Sequence, residues 1–201
     1  MTEFRKIAII GLGLIASSIC LSLRQKDPAI QIVGYDNDKE VRKRAKRIGL
    51  CEIESNIEKA VNDCDLIILC VPVGQMHPVI QKLKNFIEPG TIITDVGSVK
   101  LSVIKELEAH TENAKGKFVP SHPIAGTEKS GPDAGYAGLF EGRWCILTPT
   151  KKTNKKALKS VEIFWKFLGM QTKIMTPEHH DLVLAVTSHA PHLIAYTMVG
   201  V

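Results

Sequence analysis

Short runs of continuously apolar residues alternate along this chain with segments whose apolar positions recur at helical spacing. Lys6–Ile10 and Leu66–Val71 are apolar nearly throughout, as strands covered on both faces of a sheet must be. Ile30–Tyr35, Thr91–Asp95, Lys117–Val119, Cys145–Thr148 and Gln171–Met175 read as further strands. Between them, Leu14–Arg24, Lys39–Ile48 (ended by Gly49), Met76–Phe86 (closed by Pro89-Gly90), Leu101–His110 and Lys155–Leu168 read as helices. Strands and helices in alternation with short connections imply an α/β fold, a doubly wound, mostly parallel sheet with right-handed crossovers, over residues 1–175. Thr176-Pro177-Glu178 then supplies an N-cap, a first-position proline and an acidic first turn. The helix it opens runs towards Val201, with a bend expected near Pro191. Residues 176–201 are expected to begin a second, all-helical unit, because the chain stops in the apolar Met198-Val199-Gly200-Val201 with no strand following.

The 201 residues carry ordinary hydrophobic and charged fractions, 44% and 23%, so a packed soluble domain is expected rather than disorder. A net charge of +5 suits anionic small molecules but does not distinguish them from a solvated basic surface. Lys39, Arg42, Lys43, Arg44, Lys46 and Arg47 lack interleaved aromatics and sit at helical spacing, which argues for an exposed helix face rather than nucleic-acid binding. Five cysteines without a CxxC pair or ligand-like histidine spacing point away from zinc and towards a reducing compartment. Arg5 and Lys6 before the apolar run Ile7–Leu23 imitate a leader peptide, but Gly11, Gly13, Ser17 and Ser18 interrupt the run. The chain is expected to be cytoplasmic, with no membrane span.

Those glycines carry the first chemistry. Gly11-Leu12-Gly13-Leu14-Ile15-Ala16 is a GxGxxA fingerprint placed between a strand and a helix. Gly11 permits a tight turn, and Gly13 lets backbone approach a pyrophosphate seated on the helix N-terminus. Asp36 ends the second strand about 20 residues on, where a carboxylate binds the adenosine ribose hydroxyls and repels a 2′-phosphate. NAD is therefore the expected cofactor, while Arg42 and its basic neighbours keep NADP open. Val71 and Pro72, at the carboxyl end of the central strand, are expected to pass near the cofactor, although a simple strand-stopping proline reads almost as well. Ser98, in Gly97-Ser98-Val99-Lys100, occupies the equivalent place on the next strand and reads more readily as a helix N-cap than as a catalytic group. His122, after a strand and before Pro123, is expected in an irregular loop near the cofactor, where an imidazole can accept an alcohol proton as hydride leaves. His179-His180 reads as exposed near a helix start. His189 and His192 could share a helix face, but without a third ligand no metal site is expected.

Taken together, the glycine fingerprint, Gly34-Tyr35-Asp36, Gly97-Ser98-Val99-Lys100, Ser121-His122-Pro123-Ile124-Ala125-Gly126 and Ser188-His189-x-Pro191-His192 resemble the prephenate and arogenate dehydrogenases. The resemblance covers essentially the whole chain, and the stretch from His122 to Gly131 is its most specific part. It implies a Rossmann-type domain followed by the first helix of an all-α dimerisation domain. The implied activity is NAD-dependent oxidative decarboxylation of prephenate, arogenate or both in tyrosine biosynthesis. It further implies His122 as the proton-accepting group, Ser98 as the serine that orients it, and Ser121, Thr127, Glu128 and His192 around the substrate. Family members continue into helices that dimerise and supply an arginine for the substrate carboxylate. The resemblance therefore implies a homodimer in the full architecture, and weak or absent turnover for a chain without those helices. A reductase of the β-hydroxyacid or imine type, and a binding-only NAD module, are the alternatives.

Overall fold

The computed structural model describes residues 2–111 and 117–199, and the side chain of His192 lies outside the described residues. Six strands form one parallel sheet: β1 (Lys6–Ile10), β2 (Gln31–Tyr35), β3 (Glu52–Ile53), β4 (Leu66–Leu69), β5 (Ile92–Asp95) and β6 (Lys117–Val119). Their order across the sheet is β3-β2-β1-β4-β5-β6, with Ile7 opposite both Ile32 and Leu66. The direction of winding reverses between β1 and β4, and in such sheets ligands bind beyond the strand ends at that reversal.

The continuous apolar runs follow from the two-residue pleat, because both faces are covered. Ile7, Ile9, Leu66 and Ile68 point into one core with Ile19 and Leu23 of α1 (Leu14–Lys26). Val161, Phe164 and Trp165 of α6 (Lys155–Phe167) close that core. Ala8, Ile10, Ile67 and Leu69 point the other way, onto Met76 and Ile80 of α4 (Val73–Leu83) and Val103 and Leu107 of α5 (Lys100–Thr111). The basic stretch forms α2 (Lys39–Arg47), in which Ala45 is the buried residue; Lys39, Lys43, Arg44, Lys46 and Arg47 are exposed as expected, whereas Arg42 is half-buried. Not anticipated were the two-residue β3 and α3 (Ile57–Val61), capped by Asn56.

The sheet does not continue past β6. Pro120 has no N–H to donate to a ladder, and after it the chain leaves the parallel sheet. Ser121–Pro123 is β7 in a second sheet of order β7-β8-β9, antiparallel to β8 (Trp144–Leu147), which pairs in parallel with β9 (Gln171–Ile174). His122 thus stands on a strand opposite Ile146, not in an irregular loop. After β9, Thr176 caps α7 (Pro177–Leu184) by accepting from the N–H of His179. One π-helical turn, Ala185–His189, then leads into α8 (Ala190–Val199). Among the described residues no helix is long and apolar enough to cross a membrane.

Candidate active site

A groove of about 760 Å³ runs along the carboxyl ends of β1, β2, β4 and β5. At its floor the chain turns at Gly11 with φ +93°, and a Cβ there would stand 2.7 Å from the Cys70 carbonyl oxygen. Only glycine satisfies both conditions. α1 begins immediately afterwards with no side-chain cap and no acidic residue in its first turn. Its leading N–H groups and the positive end of its dipole therefore face the groove, a ready seat for a pyrophosphate. Gly11, Leu12, Gly13 and Ile15 line the groove, while Leu14 packs against the core instead. Val71 and Pro72 line it as expected. Burial pushes the Cys70 thiol well above its usual range, so it contributes a neutral surface.

Asp36 Oδ2 accepts the N–H of Leu12 at 2.8 Å, and Oδ1 accepts that of Asp38 at 2.8 Å. These bonds fix the carboxylate on the groove wall beside the glycine turn. Arg42 is already committed. Its guanidinium donates to the backbone carbonyls of Asp36 and Asn37 and lies 5.7 Å from the centroid of the Tyr35 ring. A groove with a carboxylate on its wall, a cradle that only glycine fits and an uncapped helix end fits a dinucleotide.

At the other end of the groove stand Ser98 and His122. His122 is 9% exposed, and its Nδ1 lies 2.9 Å from Nε2 of His180, with the rings edge-on. His180 is not exposed at a helix start. It is fully buried, and its Nδ1 lies 2.8 Å from Asp181 Oδ1. Burial lowers the pKa of His180 although Asp181 opposes the shift. Asp181 itself accepts the N–H of Lys100 at 2.7 Å and of Leu101 at 2.9 Å. Burial alone would raise its pKa, but those donors and His180 hold it below the usual carboxylate value. The cap of α5 is therefore Asp181, from 80 residues away, rather than Ser98, which is exposed on the groove wall.

Ser121, expected beside the substrate, is fully buried. Its hydroxyl donates to the Asp95 carbonyl at 2.6 Å, pairs with Thr94 Oγ1 at 2.8 Å and accepts from Trp165 Nε1 at 3.1 Å, all out of solvent. Beside it, the buried Lys100 ammonium donates to Asp95 and to the Ser121 carbonyl at 2.8 Å. Burial lowers the pKa of Lys100, against the pull of Asp95. This cluster ties β5, α5 and β7 together directly behind His122. Thr127 and Glu128 are exposed and lie outside the groove lining, on the loop leaving β7. That loop is pinned to α1, where Ser18 Oγ accepts the Tyr136 N–H and Ser22 Oγ donates to the Ala137 carbonyl. A Cβ on Gly135 would lie 2.3 Å from that of Ser17. Among the described residues no group of three or more His, Cys, Asp or Glu side chains could hold a metal ion.

His180, Asp181 and Lys100 are the site residues that sequence reasoning missed. A signal for His180 was present: Pro177, His180 and Leu184 fall at helical spacing behind a defined cap, and these three are the buried residues of α7.

The family model for the prephenate dehydrogenase nucleotide-binding domain matches residues 19–174. A cyclohexadienyl dehydrogenase of Zymomonas mobilis is 44% identical over 201 residues, all of this chain and 68% of that protein. The chain belongs to the prephenate dehydrogenase family. It is 34% identical over 196 residues to a prephenate dehydrogenase of Lactococcus lactis, covering 97% of this chain and 53% of that one. The crystal structure of the A. aeolicus prephenate dehydrogenase in complex with hydroxyphenyl propionate and NAD+ superimposes with a TM-score of 0.89 at 38% identity. That match covers 98% of this chain and 68% of the solved one. Family membership makes this chain an oxidoreductase with a Rossmann-type nucleotide-binding domain.

Proposed function

We propose that this chain binds NAD in the groove and oxidises prephenate, with arogenate as the alternative substrate, giving 4-hydroxyphenylpyruvate or tyrosine with loss of CO2. The observation that carries this reading is the placement of His122 at one end of a groove whose other end is the glycine turn and Asp36. When bound, NAD supplies the hydride acceptor. Gly11, Gly13 and the start of α1 hold its pyrophosphate, and Asp36 takes the ribose hydroxyls. His122 accepts the ring hydroxyl proton at Nε2, so that no positive charge builds up on that oxygen as hydride leaves the carbinol carbon. Ser98 helps place the hydroxyl. Thr127 and Glu128 act from the loop beyond Pro123, and His192 from α8. Loss of the ring carboxylate then aromatises the product and draws the reaction forward. NAD is favoured over NADP because Asp36 opposes a 2′-phosphate and Arg42 is engaged by carbonyls and by Tyr35. Exposed Leu182 and Val186, beyond the buried face of α7, support the expected homodimer.

Incubation of the chain with NAD and either substrate, followed by mass spectrometry, tests this directly. Formation of 4-hydroxyphenylpyruvate or tyrosine with an equal amount of NADH is expected. NADH-free conversion, or NADH formed with some other product, would contradict the reading.

A further inference from the structure

We propose that His180 and Asp181 are positioning residues for His122, forming a buried chain that fixes its tautomer and takes up the charge it acquires. The proposal rests on the reading of His122 as the proton acceptor.

Read outward from Asp181, each proton has one place. An ionised carboxylate only accepts, so Nδ1 of His180 carries a hydrogen and donates it to Oδ1 across 2.8 Å. A neutral imidazole with hydrogen on Nδ1 has its lone pair on Nε2. Nε2 of His180 lies 2.9 Å from Nδ1 of His122 and therefore accepts from it. His122 is thereby held with hydrogen on Nδ1 and basicity on Nε2. Left alone, an imidazole is not bound to that tautomer; here the partner decides it.

The same contacts act when the proton arrives. The substrate O–H bond breaks and an N–H bond forms at Nε2 of His122, which becomes a cation. Its Nδ1 hydrogen can pass to Nε2 of His180, leaving His122 neutral and the positive charge beside Asp181. The influences on His180 make that charge a passing one: burial, the largest, and Lys100 on α5 oppose a resting cation, while Asp181 next to it on α7 and Asp95 on β5 support one as the proton passes. Asp181 is in turn immobilised by the two leading N–H groups of α5, which lock it to a rigid element. Burial of His180 excludes water as a competing partner. A histidine required only to fill space there would not need nitrogens aligned at both ends.

Long-range nitrogen–proton spectra of the imidazole rings in the chain itself test the proposal without turnover, with the His122 signals assigned by their loss in His122→Asn. The expected spectrum has His122 with hydrogen on Nδ1. In His180→Phe, which keeps a ring of similar size, His122 should shift mainly to hydrogen on Nε2. His180→Gln, whose amide oxygen can still accept, should retain the original pattern and serves as the second variant if the phenylalanine form does not fold. With prephenate and NAD, His180→Phe should lower kcat by about 10- to 100-fold with little change in KM, and His180→Gln should recover part of that loss. A wild-type His122 with hydrogen on Nε2, or one unmoved by His180→Phe, would overturn the proposal. If His122→Asn abolishes turnover while His180→Phe leaves rate and spectrum unchanged, only this proposal fails. If His122→Asn turns over normally, the reading of His122 as the proton acceptor is what fails.

Discussion

Asp181 caps a helix that begins 81 residues before it: its Oδ1 accepts the N–H of Lys100 at 2.7 Å, and its Oδ2 accepts that of Leu101. One side chain thus closes the start of α5, orders His180 and fastens α7 onto the nucleotide-binding sheet. Asp181→Ala is expected to destabilise the chain by about 2 kcal/mol, the combined scale of a lost cap and lost charge-assisted bonds. Urea unfolding checks this, and an unchanged midpoint would contradict it.

The acid limb of stability should carry two signatures. Burial holds the pKa of His180 below its usual 6.5, so an unfolded chain takes up a proton that the folded chain refuses. Stability from this source is complete above about pH 6.5 and declines as pH falls below it. Asp181 is held below its usual 3.8, so its contribution is present above that pH and is lost as pH falls through its folded value. Melting curves recorded in steps of pH should show His180→Phe with a flatter decline between pH 6.5 and the carboxylate range. Parallel curves would rule this out.

Gly11→Ala should remove NAD binding and lower stability together. The positive φ and the Cys70 carbonyl 2.7 Å from the new Cβ leave it no relaxed position. The expected outcome is a lower melting temperature that no longer rises when NAD is added; retained protection by NAD would contradict the cradle described.

Cofactor choice should turn on Asp36. Replacing it with serine removes the ribose partner and the repulsion of a 2′-phosphate, and it also releases the Leu12 N–H. Titration with NADH and NADPH should show the preference moving towards NADPH by at least about tenfold, a shift of ~1.4 kcal/mol. An unchanged ratio would place discrimination elsewhere.

Lys100→Met leaves the Asp95 carboxylate buried without its cation and should cost about 3–5 kcal/mol. Adding Asp95→Asn to that variant should recover part of the loss, because the amide does not carry an uncompensated charge. Unfolding of the single and double variants measures the coupling.

Much of this was legible in the residues. The fingerprint from Gly11 to Ala16, the continuously apolar strands and Asp36 place the nucleotide half of the groove, because they are local signals with strong backbone consequences. What escaped depends on contacts distant in sequence. Glu52–Ile53 and Ile57–Val61 are too short to show a period. Ser121 and His122 share a strand, yet one is locked behind Trp165 and the other reaches the groove, and no alternation in a three-residue strand announces which. His180 looked like a solvated residue at a helix start because only the packing of α7 on α5 buries it. The N-cap expected of Ser98 is likewise filled from another helix.

The most direct test of the account is the rise in NADH absorbance when prephenate is added to the chain at saturating NAD, for wild type and His122→Asn, with NAD binding measured in both. The account predicts a rise in wild type and a rate lower by at least about 100-fold in the variant, with NAD binding retained. Equal rates in the two proteins would contradict it.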